Sequence, residues 1–171
     1  MKSIIVYFSR SGENIVDHKI VDLPVGNTEI IARKIQALTG ADLFQLKPIR
    51  PYPYSYQECL KIAEKEYQTN ECLDYVHTYE DLSSYDVVFL GFPIWYRSYP
   101  RIINKFIKDY DLADKTVMPF CTNDEGNFGI AELELRSLCH DSILRPGFYV
   151  QGKDIHLCSD RLQRWINRYY K

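Results

Sequence analysis

Ile4-Ile5-Val6-Tyr7-Phe8-Ser9-Arg10-Ser11-Gly12 is the stretch on which the reading of the chain turns. Five apolar residues in a row, three of them β-branched, predict a strand buried on both faces. Continuous rather than alternating hydrophobicity marks a parallel sheet covered by helices. The run then gives way to hydroxyls and a glycine, the composition of a strand-to-helix turn. Val87-Val88-Phe89-Leu90, Val117-Met118-Pro119-Phe120 and Phe148-Tyr149-Val150 read the same way, and Leu43-Phe44-Gln45-Leu46 is a weaker fifth. Between these runs apolar residues recur at helical spacing. The stripes are Ile31, Ile35, Leu38; Ile103, Phe106 or Ile107, Tyr110; Ala131, Leu135, Leu138; and Leu162, Trp165 or Ile166, Tyr169. Leu60, Ala63 and Tyr67 mark a further amphipathic helix over 57–67. Strand-helix alternation from end to end predicts an α/β fold with helices on both faces of a parallel sheet.

The chain has 171 residues, about one domain's worth, and shows no repeat or linker that would divide 1–171. Segment 47–56, with Pro48, Pro51 and Pro53, is expected to be a surface loop. A hydrophobic fraction of 46% excludes a disordered chain. Lys+Arg 21 against Asp+Glu 23 lacks the basic excess of a nucleic-acid binder. Cys59, Cys72, Cys121, Cys139 and Cys158 are scattered and form no CxxC, so neither a zinc site nor a disulfide framework is expected. His18, His77, His140 and His156 share no ligand spacing. With no secretory signal and no apolar run near the ~18–20 residues of a membrane span, the expected location is the cytoplasm. Tyrosine is unusually abundant: 14 residues, against 8 Phe and 2 Trp. Its flat apolar body and polar tip suit half-wet surfaces that hold planar partners.

Ligands of open α/β sheets bind beyond the carboxyl ends of the strands, where the strand order reverses. After the first strand stands Ser9-Arg10-Ser11-Gly12, but the first periodic helix opens only near Gly26-Asn27-Thr28, with Asn27 or Thr28 as its cap. Fourteen residues, 12–25, intervene. Without them the chain reads Ser9-Arg10-Ser11-Gly26-Asn27-Thr28, a dense donor set at a helix N-terminus that suits a terminal phosphate. An ordinary capped turn is the plainer alternative. A Walker lysine and a GxGxxG are absent, which disfavours nucleoside triphosphates and dinucleotides. After the central strand, Pro93-Ile94-Trp95-Tyr96 offers rings at the sheet edge, or else aromatic packing under a loop. After the next, Thr122-Asn123-Asp124-Glu125-Gly126 offers polar groups to the edge of a heterocycle, or else a solvated loop. The three segments follow the first, third and fourth strands, neighbours in a 2-1-3-4-5 sheet. Together they describe a site for a planar heterocycle bearing one phosphate.

On these stretches, with Tyr85-Asp86 leading into the central strand and Phe120-Cys121 into the last loop, the chain resembles the flavodoxin-like family of FMN-binding proteins over nearly its whole length. The resemblance implies a three-layer sandwich around a five-stranded parallel sheet of order 2-1-3-4-5, with FMN as cofactor. It places Ser9, Ser11 and Thr28 at the phosphate hydroxyl positions, with Arg10 between them and Asn27 at the family's asparagine. Pro93, Trp95 and Tyr96, with Ile94, would flank the isoalloxazine ring. Thr122, Asn123, Asp124 and the backbone through Gly126 would face its pyrimidine edge. Tyr99 is a candidate third ring of the wall, and Tyr52, Tyr54 and Tyr56 would rim a neighbouring face. Two departures stand out. The 12–25 insertion leaves the glycine role to Gly12 or Gly26, with His18 and Lys19 expected on an exposed loop. Asp124-Glu125 replaces the usual small residues; facing the flavin they would lower its potential, and pointing to solvent they would not. The implied function is electron transfer through FMN to a redox partner protein. The alternative is NAD(P)H-dependent reduction of quinones or similar small acceptors. No side chain is assigned a catalytic role in either. A flavin-free interaction domain is a remote third reading. A net charge of -2 is low for a shuttle that steers onto basic partners. A phospho-acceptor signalling domain of the same strand order is disfavoured, because the third strand ends in Gly91-Phe92-Pro93 without an aspartate.

Overall fold

The computed structural model describes residues 1–71 and 73–170; Cys72 lies outside them. In chain order the elements are β1 (Ser3–Tyr7), β2 (Gly12–Val16), β3 (Lys19–Leu23), α1 (Asn27–Thr39), β4 (Asp42–Gln45), α2 (Tyr56–Thr69) and β5 (Val87–Pro93). There follow α3 (Ile102–Asp109), β6 (Thr116–Asn123), α4 (Ala131–Leu138), β7 (Ile143–Leu144), β8 (Phe148–Gln151) and α5 (Ser159–Tyr169). The central sheet runs β4-β1-β5-β6 with every pair parallel. This is the expected 2-1-3-4 order. The fifth position is shared: β7 pairs the first half of β6 and β8 the second half. Arg145-Pro146-Gly147 separates the two pieces. Proline has no N–H to give a ladder, and a Cβ at Gly147 would lie 2.3 Å from the Phe128 ring.

Both faces of the sheet are buried, as the continuous apolar runs require. Side chains alternate across a strand. Accordingly Ile4, Val6, Val88 and Leu90 pack on one side with Phe44, Phe106 and Leu135. Ile5, Tyr7, Val87 and Phe89 pack on the other with Ile31, Ile35, Leu162 and Trp165. Thus α3 and α4 cover one face, α1 and α5 the opposite one. Among the described residues no helix is long and apolar enough to cross a membrane.

The insertion is not an irregular loop. Residues 12–23 form an antiparallel hairpin in which Ile15 pairs Ile20 and Val16 pairs Lys19. Its two-residue turn is Asp17-His18, with φ of 51° and 61°. Such primed turns normally take Asn-Gly or Asp-Gly, because both positions are left-handed. At α1 the cap position is Gly26 rather than Asn27 or Thr28. The capping oxygen comes from outside the helix: Ser9 Oγ accepts the Glu29 N–H at 3.0 Å.

At Gly91 β5 passes directly beneath the Phe120 ring, which a Cβ there would meet at 2.1 Å. Phe120 is fully buried. Gly91→Ala should therefore destabilise the protein by roughly 1–3 kcal/mol through overpacking. Urea unfolding should register a lower midpoint at an unchanged slope.

Candidate functional site

The carboxyl ends of β1, β5 and β6 surround a cavity of about 430 Å³. Its first side is the turn from β1 into α1. A Cβ on Gly26 would lie 2.3 Å from Ser9 Oγ and 2.5 Å from the Arg10 carbonyl oxygen, so only glycine allows this approach. Ser9 Oγ uses a lone pair on the Glu29 N–H, and its own proton can still donate. The first amides of a helix have no partner within it, so the N–H groups of Asn27 and Thr28 add donors and positive dipole at the same place. Thr28 Oγ1 lies 2.8 Å from Thr122 Oγ1, both residues buried, which ties this turn to the loop after β6.

The second side is aromatic. Ile94 N–H donates to the Thr122 carbonyl at 3.0 Å, and Trp95 and Ser98 exchange backbone bonds of 2.6 and 3.1 Å across a tight turn. Tyr96 and Arg97 occupy that turn with φ of 42° and 77°. The Trp95 ring packs edge-on against Phe8 at 5.2 Å and Tyr52 at 4.9 Å, and Tyr96 packs edge-on against Tyr67 at 5.4 Å. Beneath the turn the buried Arg101 pairs with Glu134 at 3.1 Å and covers the Tyr67 ring at 4.9 Å. Tyr99 is not part of the wall. Three residues on from Tyr96 it faces the core, buried against Phe92 at 5.2 Å. Tyr52 OH donates to both oxygens of Glu66 at 2.9 Å. Glu66 is 3% exposed, and burial pushes its carboxyl up to about 7.

The third side is the loop after β6. Asn123 organises it: its Oδ1 accepts the Gly126 N–H at 2.5 Å, and its Nδ2 donates to the Asn127 carbonyl. Gln151 Nε2 holds the Asp124 carbonyl at 2.7 Å. The Asp124 carboxylate turns toward the hairpin tip. It accepts the Asp17 N–H at 2.6 Å, the His18 N–H at 2.9 Å and a contact from His18 Nδ1 at 2.9 Å. Glu125 is exposed and lines the cavity. Gly129, at φ 54°, lets the Arg97 carbonyl come close enough to accept the Ile130 N–H at 3.0 Å, joining this loop to the aromatic turn.

Of the residues expected from sequence, the structure brings together Ser9, Arg10, Asn27, Thr28, Pro93, Ile94, Trp95, Tyr96, Thr122, Asn123 and Asp124 around the cavity. Ser11, Gly26 and Gly126 are not in its lining. Ser11 is exposed, while Gly26 and Gly126 shape the backbone behind it. Arg10 lines the cavity, yet its guanidinium is bound to the carbonyls of Pro53 (2.7 Å), Tyr54 (2.5 Å) and Glu13 (2.5 Å). These bonds fasten the hairpin to the 53–54 segment. Two groups were not assigned from sequence: Asn14 and Ile15 enter from the hairpin, and Cys59, Leu60 and Ala63 from α2. His18, expected on an exposed loop, lines the cavity as well. The α2 stripe was legible as an apolar face, but its spacing alone reads equally as core. Of the rim tyrosines, Tyr56 lines the cavity, Tyr52 braces Trp95, and Tyr54 is exposed. The donor-rich helix turn, the ring wall and the polar loop fit a planar heterocycle carrying one phosphate.

A family profile described as Flavodoxin matches residues 2–169, and the chain belongs to that family. Among solved structures it is similar to a candidate flavoprotein from Bacteroides eggerthii DSM 20697, at 26% identity and a TM-score of 0.80, covering 99% of this chain and 98% of that one. It is also similar to a candidate flavoprotein from Bacteroides uniformis ATCC 8492, at 24% identity and TM-score 0.78 over 97% of both chains. A flavoprotein from Lactobacillus acidophilus NCFM in complex with FMN shares the fold at 20% identity and TM-score 0.61, covering 91% of this chain and 97% of that one. No curated protein matches the sequence.

Glu66 also makes the brace behind Trp95 sensitive to pH. Its folded pKa lies above the ordinary 4.5, so the native state holds a proton that the unfolded chain releases first. The contribution is fully present below pH 4.5 and is lost as pH rises through about 7. Glu66→Gln should flatten this part of the stability profile, and urea unfolding from pH 5 to 8 would reveal it. An unchanged slope would reject the assignment.

Proposed function

We propose that the protein is an FMN-dependent redox protein. The observation that carries the reading is the convergence of Ser9 and the α1 N-terminus, Trp95 with Tyr96, and the 122–127 loop on one cavity. FMN, when bound, supplies reversible one- or two-electron transfer. The chain's own residues bind, orient and shield it. Ser9, Thr28 and the first amides of α1 meet the phosphate with hydrogen bonds and dipole. Trp95 offers a ring whose orientation is fixed by Phe8 and Tyr52. The 122–127 loop, held rigid by Asn123 and Gln151, presents backbone groups to a heterocycle edge. The family membership and the FMN complex of the Lactobacillus acidophilus protein support the same cofactor. Electron transfer to a protein partner is the first form of this function. The second, NAD(P)H-dependent reduction of a quinone or similar small acceptor, is favoured by the apolar α2 residues Leu60 and Ala63 in the same cavity and by the net charge of -2.

Purified protein mixed with FMN should quench flavin fluorescence and shift its absorbance; no binding at micromolar concentration would reject the proposal. Ser9→Ala combined with Thr28→Ala should weaken FMN by about tenfold or more through lost charge-assisted bonds, and riboflavin much less. Equal losses for the two ligands would place the phosphate elsewhere. Steady-state NAD(P)H oxidation with a quinone separates the two forms: a carrier gives almost no direct turnover.

A further inference from the structure

We propose that hairpin β2–β3 is a gate over the cleft and that Asp124 is its latch. In this reading, which rests on the FMN assignment, the closed gate controls cofactor entry and exit. The base of the hairpin is fastened firmly. Arg10 ties it to the 53–54 carbonyls, Glu13 N–H donates to Tyr54 O at 3.1 Å, and the Glu13 carboxylate accepts the Tyr56 N–H at 3.0 Å. The tip is held differently. Both turn residues sit at positive φ, where aspartate is common at the first turn position but glycine is the usual second residue that His18 replaces. β3 buries little, with Ile20 50% and Val21 37% exposed, and an isolated two-stranded hairpin is marginal in water. The hydrogen bonds of the tip go to one carboxylate on the opposite loop, which takes both turn amides and the His18 ring. Lys153 adds a half-exposed ion pair to Asp17 at 3.5 Å, worth little in solvent. In this closed form Asn14, Ile15 and His18 line the cavity. Release of the Asp124 contacts would let the tip swing from the third loop while the base stays anchored.

A gate and a mere contact differ in kinetics. A contact residue slows dissociation only. A latch holds most molecules closed, so it slows entry as well. Stopped-flow mixing of the full chain with FMN should therefore show Asp124→Ala raising the association rate as well as the dissociation rate, each by about tenfold, the worth of one charge-assisted hydrogen bond. Asp124→Asn, which keeps an acceptor, should fall between. An association rate unchanged in Asp124→Ala overturns the gate. Amide hydrogen exchange on the cofactor-free protein tests the latch separately. The Asp17 and His18 amides should exchange about tenfold faster in Asp124→Ala, with β1 and β5 amides unaffected; unchanged Asp17 and His18 rates overturn the latch. Failure of wild-type protein to bind FMN in the first experiment would instead reject the cofactor assignment and, with it, the gate's role in FMN exchange.

Discussion

The site depends on how closely the end of β1 approaches the start of α1. Gly26 lies against Ser9 and Arg10 at a separation that no side chain would permit. The Ser9 hydroxyl, twenty residues earlier in the chain, caps the Glu29 amide directly. The consequence is that residues 12–25 leave and return at nearly the same point. A closed excursion of this kind adds chain without moving the elements it interrupts, and its entropic cost grows only slowly with length. That is why the donor set at the helix N-terminus survives an insertion placed in its middle.

From that fixed point, a chain of contacts organises the rest of the sheet edge. Thr28 touches Thr122, Thr122 holds Ile94, the Ile94–Ser98 turn presents Trp95, and Arg97 reaches across to Ile130. The three sides of the cavity are thus fastened to one another as well as to their own strands. Aromatic packing stiffens the wall from behind: Phe8 belongs to the extension of β1 and Tyr52 to the proline-rich segment after β4, so the ring of Trp95 is referenced to two separate parts of the chain. A ring held this way needs no reorganisation to meet a planar partner, which lowers the ordering cost of binding.

The sheet was legible because its signal is physical and redundant. A strand covered on both faces must be apolar at every position, and Ile4 to Phe8 and Val87 to Leu90 are. The helix stripes were legible for the same reason. The hairpin was not: Asp17-His18 lacks the Asn-Gly or Asp-Gly signature, and Glu13, Asn14 and Asp22 blur any strand pattern. Its turn is stabilised by a residue 106 positions further along, information that no local window contains. Tyr99 illustrates a subtler limit. Sequence places it beside Trp95 and Tyr96, but the reversal at Tyr96-Arg97 turns it inward to Phe92. Which ring faces the cavity is decided by backbone φ, not by composition.

The same distinction changes the electrostatic reading of the third loop. A carboxylate beside a flavin would disfavour the negative charge gained on reduction. Asp124, however, is engaged by two backbone amides and the His18 ring. Hydrogen bonds of this kind direct the charge toward the hairpin and spread it over the donors. Its neighbour Glu125 is exposed, where water screens it. Two acidic residues that look equivalent in sequence therefore do different things: one closes a structural bond across the cleft, the other adds a screened charge at its rim. Asp124 is long enough to reach the hairpin tip across the cleft, a contact that a smaller side chain at this position could not make.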